Sequence, residues 1–134
     1  MAVVRYRTCQ TCHKNRALKF YKKAGRVCLP CQKQRAARAN KHRRLSETYG
    51  ITIGEYDAIL ALQGGVCAGC RGHRKVFDVD HDHAVEKVSG ARASVRGLLC
   101  RSCNKILAYA RDEPKRLRAL SLYLEYPTAH EVIR

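Results

Sequence analysis

No stretch of this 134-residue chain is apolar for long enough to cross a membrane, and the opening Met1-Ala-Val-Val-Arg-Tyr-Arg lacks the apolar core of a secretory signal. The expected compartment is therefore a reducing cytoplasm, where a disulfide framework is not maintained. Tryptophan is absent and phenylalanine occurs twice. A chain this short cannot bury a large core unaided and needs some other staple. Acidic residues are missing from the first 46 positions, where fourteen Lys and Arg accumulate. No long amphipathic basic helix with an aromatic or leucine-rich face accompanies that charge, so the polyanion it implies is nucleic acid rather than a membrane surface.

No cysteine is left over. All eight fall into four Cys-x-x-Cys pairs, at 9/12, 28/31, 67/70 and 100/103. Such tandem pairs in a reducing compartment read as metal sites, and two tetrathiolate Zn²⁺ ions use them all. Cys9-Gln-Thr-Cys12-His13 also fits a haem attachment pattern, but that chemistry requires export and leaves three pairs unexplained. Cys9, Cys12, Cys28 and Cys31 have the spacing of a zinc ribbon, in which two turns each present two thiolates, with Phe20, Tyr21 and Val27 packed between them. Binding two zinc ions through eight thiolates lowers the formal charge of +16 to about +12. The chain remains strongly basic.

The chain divides on the page into a four-cysteine zinc ribbon over 1–34, a basic helical linker over 35–48, a core over 49–125 and a tail over 126–134. Lys33, Arg35, Arg38, Lys41, Arg43 and Arg44 lie in a segment rich in helix formers and poor in large apolar side chains, which predicts an exposed helix suited to phosphate contact. Thr52-Ile-Gly-Glu55 is a capping box opening a second helix, with Tyr56, Ile59, Leu60 and Leu62 as its apolar positions and Gly64-Gly65 as its end. Lys75 to Asp80 alternates as a strand and Val95 to Leu99 reads as its return. Between them, Ala84 to Ser94 is predicted to be a mobile loop. Asn104 to Ala110 predicts a short helix; Asp112 then caps another, whose Leu117, Leu120 and Leu124 form a packing face or a dimerisation face.

The reactive residues cluster at Asp80-His81-Asp82-His83, bracketed by Cys67/Cys70 and Cys100/Cys103, with Asn104 directly after the last thiol. Phosphodiester hydrolysis needs an attacking water, a base and a cation that stabilises developing charge. Oxygen ligands suit Mg²⁺ or Mn²⁺, and a neutral imidazole suits the base. Successive strand residues face opposite ways, so Asp80 and His81 can cooperate only if the strand ends or bends between them. The alternative is that His81 and His83 are surface or zinc-ligating residues, although four thiols already fill each zinc shell.

Together, Cys67-x2-Cys70, Val79-Asp80-His81-Asp82-His83 and Val95-Arg96-Gly97-Leu98-Leu99-Cys100-x2-Cys103-Asn104 resemble the phage recombination endonuclease VII family, over roughly residues 49–110. The resemblance implies a small zinc-stabilised α+β fold with a ββα-metal (His-Me finger, HNH-like) nuclease core, here preceded by a ribbon and basic helix. It implies that Asp80 and Asn104 bind one Mg²⁺ or Mn²⁺, that His81 is the general base and that His83 holds or polarises the scissile phosphate. The four central cysteines would hold structural Zn²⁺. Substrates would be branched DNA such as Holliday junctions, cut to 5′-phosphate and 3′-hydroxyl ends. Junction resolution needs two symmetric cuts and hence two active sites, as in a homodimer. The competing expectations are an HNH-type nicking or cleaving endonuclease on ordinary duplex, and a double-zinc nucleic-acid-binding module without catalysis.

Overall fold

The computed structural model describes residues 4–133 as a small α+β protein. The chain separates into two compact units, Met1–Thr48 and Tyr49–Arg134.

In the first unit, β1 (Tyr6–Thr8) pairs antiparallel with β2 (Asn15–Ala17), and the connection between them carries Cys9 and Cys12. The Cys9 amide donates to the Lys14 carbonyl at 3.0 Å and the His13 amide returns to the Cys9 carbonyl at 2.9 Å, with His13 in the left-handed region at φ +54°. The second thiol pair departs from the ribbon expectation. Cys28 immediately precedes α1 (Leu29–Tyr49), and Cys31 lies in that helix's first turn rather than in a second loose turn. Free N–H groups and the positive end of the helix dipole stand there, which favours thiolates. Tyr21 and Val27 pack with the cysteines as expected, whereas Phe20 is turned out and is 38% exposed. Helix α1 starts earlier than predicted and is polar nearly all round.

In the second unit, α2 (Ile53–Leu62) opens with the expected capping box, Thr52 Oγ1 accepting from the Glu55 amide and the Glu55 carboxylate accepting from the Thr52 amide. Gly64 and Gly65, both at φ near +74°, end it. Tyr56 is buried and donates its hydroxyl proton to the Phe77 carbonyl, but Leu62 is exposed rather than packed.

Strand β3 (Asp78–His81) is shorter at its start than the predicted Lys75–Asp80 and runs one residue further; it pairs antiparallel with β4 (Val95–Leu99). Helix α2 packs on β4, and α5 (Arg101–Tyr109) packs on both strands. The side chain of Gln63 serves the open edge of β4, accepting from the Leu98 amide at 2.8 Å and donating to the Leu98 carbonyl at 2.9 Å. A Cβ at Gly97 would stand 3.2 Å from Gln63 Oε1, so glycine there permits this approach.

The predicted mobile loop is instead two short helices, α3 (His83–Ser89) and α4 (Ala91–Ser94). Asp82 caps α3, its Oδ1 accepting from the amides of Ala84 and Val85. Arg92 ties α4 back through the Gly50 carbonyl and the Glu55 carboxylate. The last helix, α6 (Pro114–Glu125), has Pro114 in its first turn as expected, but its N-cap is Glu113 and not Asp112. Its leucines do not form a covered packing face: Leu120 and Leu124 are 57% and 76% exposed.

Candidate active site and metal centres

Two tetrathiolate sets are preformed. Within Cys9, Cys12, Cys28 and Cys31, and within Cys67, Cys70, Cys100 and Cys103, the four sulfurs all lie within 4.8 Å of one another. Four soft donors at that spacing fit a tetrahedral Zn²⁺. Backbone amides already point at the sulfurs, from Cys28 to Cys9 Sγ at 3.3 Å and from Cys100 to Cys67 Sγ at 3.2 Å. The Cys28 amide is the main cause that holds the Cys9 thiol down to about 5. Burial opposes ionisation of Cys67, but the amides of Cys100, Cys70 and Gly69 outweigh it and bring that thiol to about 6. Each unit thus holds a thiolate ready for a cation at neutral pH.

The register of β3 and β4 breaks where the bend was expected. Asp80 stands opposite Gly97 while His81 stands opposite Val95, so Arg96 is an extra residue on β4 at a β-bulge. The bulge lets neighbouring residues share a face. Asp80, His81, His83 and Asn104 all line one cavity of about 210 Å³ beside α5. Asn104 arrives there on α5, one residue past Cys103; the helix begins at Arg101, so Asn104 lies within its first turn rather than at its start.

Asp80 is buried and its carboxylate is held by the Arg96 guanidinium, Nε to Oδ2 and Nη2 to Oδ1, each at 2.8 Å. The same guanidinium reaches Asp112 Oδ1 at 2.8 Å and stands 3.8 Å from Asp82 Oδ2. Asp80 above all, and then Asp112, raise the Arg96 pKa further. Arg96 in turn is the main reason that Asp112 is held below the usual carboxylate range. The Asp82 carboxyl is lowered chiefly by the Val85 and Ala84 amides, which fits its role as a helix cap.

The two imidazoles stand with ring centres 4.6 Å apart, and Tyr49 packs edge-on to His81 at 5.5 Å. His81 Nε2 lies 3.4 Å from the Glu86 carboxylate on α3, and His83 Nδ1 lies 3.2 Å from Asp112 Oδ2. The sequence reading therefore found four of the cavity's polar groups and missed Arg96, Asp112 and the Glu86 partner. Asp112 was assigned to a helix cap; a left-handed backbone at Arg111 and Asp112, φ +55° and +56°, turns its carboxylate into the site instead.

A family model for recombination endonuclease VII matches residues 42–126. The Gene 59 protein of Mycobacterium phage D29 is 47% identical over 94 residues, which cover 67% of this chain and 53% of that protein. The Gene 59 protein of Mycobacterium phage L5 is 43% identical over 94 residues with the same shares. The chain thus spans about half the length of the curated relatives it matches. No solved structure gives a significant match. With the family model covering well over half of its length, including both central thiol pairs and the bulged strand pair, this chain belongs to the recombination endonuclease VII family.

Proposed function

We propose that the chain is a metal-dependent DNA endonuclease that hydrolyses phosphodiester bonds in branched DNA, leaving 5′-phosphate and 3′-hydroxyl ends. The observation that carries this reading is the convergence of Asp80, His81, His83 and Asn104 on one small cavity at a strand bulge. In this reading β3, β4 and α5 are the ββα-metal unit of a nuclease core over 49–125. The residues before it, a zinc unit over 1–34 and a basic linker over 35–48, hold DNA through phosphate contacts, and 126–134 is a tail. Family membership supports work on phage DNA in the host cytoplasm.

The oxygen atoms of Asp80 and Asn104 are donors of the kind that Mg²⁺ or Mn²⁺ accepts, and Mg²⁺ needs only one or two protein ligands because it keeps several waters. A carboxylate has about four lone-pair directions, so Asp80 can accept from Arg96 and still offer an oxygen to a cation. When bound, the ion would supply Lewis-acid stabilisation of the charge that develops on the phosphate and the leaving 3′ oxygen. The Glu86 carboxylate, 3.4 Å from His81 Nε2, favours a proton on that nitrogen, and Nδ1 would then hold the lone pair that takes the attacking water's proton. As the water oxygen bonds to phosphorus, the bond to the 3′ oxygen breaks and that oxygen takes a proton from solvent. Asp112 holds His83 at Nδ1, which would leave Nε2 for a phosphate oxygen, and the Arg96 guanidinium would offer a cationic contact beside it.

Resolution of a junction requires two such sites, and the exposed Ile106, Tyr109 and Leu120 on α5 and α6 favour a homodimer. The test is cleavage of a four-way junction and of a linear duplex of equal length, with His81→Ala as control. Cleavage that requires Mg²⁺ or Mn²⁺, prefers the junction and falls roughly 10²- to 10⁴-fold in the variant is expected, with two zinc ions per chain retained. Full cleavage by His81→Ala would remove it as the base, and equal cleavage of both substrates would favour the duplex-nicking reading.

A further inference from the structure

The first unit carries a groove that none of the proposed chemistry uses. It has a volume of about 750 Å³ and is lined by residues of β1, β2 and the 3-10 turn Leu18–Phe20. Its walls combine two kinds of side chain. Tyr6 is 61% exposed and Phe20 38% exposed, in a unit with little apolar bulk to spare. Around them stand Arg5, Arg16 and Lys19.

The cations are arranged about the ring rather than away from it. Lys19 Nζ lies 5.4 Å from the centre of the Phe20 ring and the Arg16 guanidinium carbon 5.9 Å from it, near the outer limit of a cation–π contact. The Arg16 side chain is partly buried, with its Nε enclosed in the unit. The backbone closes the groove's end, the Leu18 amide donating to the Arg5 carbonyl at 2.9 Å. Tyr6 and Phe20 thus stand on the zinc unit with part of their ring surface exposed.

We infer that this groove binds unpaired nucleobases of single-stranded DNA, Tyr6 and Phe20 stacking on bases while Arg5, Arg16 and Lys19 meet the adjoining phosphates. An acidic peptide would satisfy the cations but leave two aromatic faces without flat partners. A duplex would satisfy the phosphates, but its base faces are covered by their neighbours. Unpaired nucleotides offer both, because every base has a π-face and every linkage a charge. The choice of DNA rests on the nuclease reading above. The groove would therefore direct that nuclease to branch points and loops, where bases come unstacked.

The test uses the full zinc-loaded chain and a labelled oligothymidylate, with fluorescence anisotropy read across a salt series without added Mg²⁺. The same-length abasic strand keeps the phosphates and removes the bases. It is expected to bind more weakly at every salt concentration, with a similar dependence on log salt. Tyr6→Ala and Phe20→Ala are each expected to weaken oligothymidylate binding by about 5- to 150-fold, the range for one lost base–aromatic stack, and to leave duplex binding unchanged. Tyr6→Phe should bind like the parent. Equal affinity for the abasic strand and oligothymidylate would overturn the inference on the parent protein alone. So would unchanged binding by Tyr6→Ala, an exposed position whose folding is checked by a zinc count of two. These are binding results, so a chain that bound oligothymidylate as described but cleaved nothing would refute the nuclease reading and leave the groove standing.

Discussion

Replacing Arg96 by Met removes the cation that serves three carboxylates while keeping most of the side-chain volume. Asp80 is the one that suffers, since its side chain is only 10% exposed and both its oxygens accept from Arg96. Breaking a fully buried pair costs about 3–5 kcal/mol. Arg96 itself is 33% exposed, so water already screens part of the attraction, and roughly 2–3 kcal/mol is the expected loss after that discount. For a unit of this size that corresponds to a Tm about 8–24 °C lower, measured by circular dichroism on zinc-loaded protein. The partner Asp80→Asn should recover much of the loss in the double variant, because the amide no longer demands a cation. Mg²⁺ should raise the Tm of Arg96→Met more than that of the parent, as the cluster of Asp80, Asp82 and Asp112 then lacks its internal counter-charge. Strictly additive effects of Arg96→Met and Asp80→Asn, or a shift under about 2 °C for Arg96→Met, would refute the claim that Arg96 holds the buried carboxylate.

Asp112→Asn should reduce cleavage by about 10- to 100-fold with two zinc ions retained, the usual effect of losing a group that orients another, and undiminished turnover would show that His83 needs no such partner. Glu55 is held at about 2, below its ordinary 4.5, first by the Arg92 guanidinium and then by the Thr52 amide. A lowered folded-state value contributes stability that is present above pH 4.5 and is lost as pH falls through about 2. Glu55→Gln should therefore be less stable than the parent at neutral pH, with the difference vanishing on approach to pH 2 in acid-unfolding curves; a constant difference over that range would exclude this linkage.

The parts of the site that could be read from the sequence are those written locally. Thiol spacing marks both metal sets because each ligand pair occupies one turn, and Asn104 is placed by being next to Cys103. The capping box at Thr52 and the glycine end at Gly64 are likewise complete within a few residues. Arg96 was quoted as part of a motif, yet its contact with Asp80 depends on an extra residue in β4, which alternation cannot foresee. Asp112 depends on two successive left-handed residues, neither of them glycine. The helices α3 and α4 were missed for a different reason. Asp82 carries the N-cap signal of α3, but its place among Asp80, His81 and His83 makes it look reactive. The tie that orders α4 joins Arg92 to Glu55, which are far apart in sequence.

The two tetrathiolate units are built by one local device, and comparing them shows what the central one adds. In each, the first cysteine's amide is taken by a carbonyl five residues on, Lys14 or Gly72. The residue after the pair, His13 or Arg71, adopts a left-handed backbone, and the third cysteine's amide donates to the first sulfur before a helix begins. A zinc ion there fixes the start of a helix against a turn, whatever lies between. In the first unit the intervening chain is short and leaves an aromatic, basic groove. In the second it is long enough for β3, α3, α4 and β4, so the same fixed helix start carries Asn104 to the bulge where Asp80 and His81 meet. Metal removal should therefore act on the two units differently. Loss of the central zinc should release α5 and with it the proposed cleavage site, whereas loss of the first zinc should release the groove.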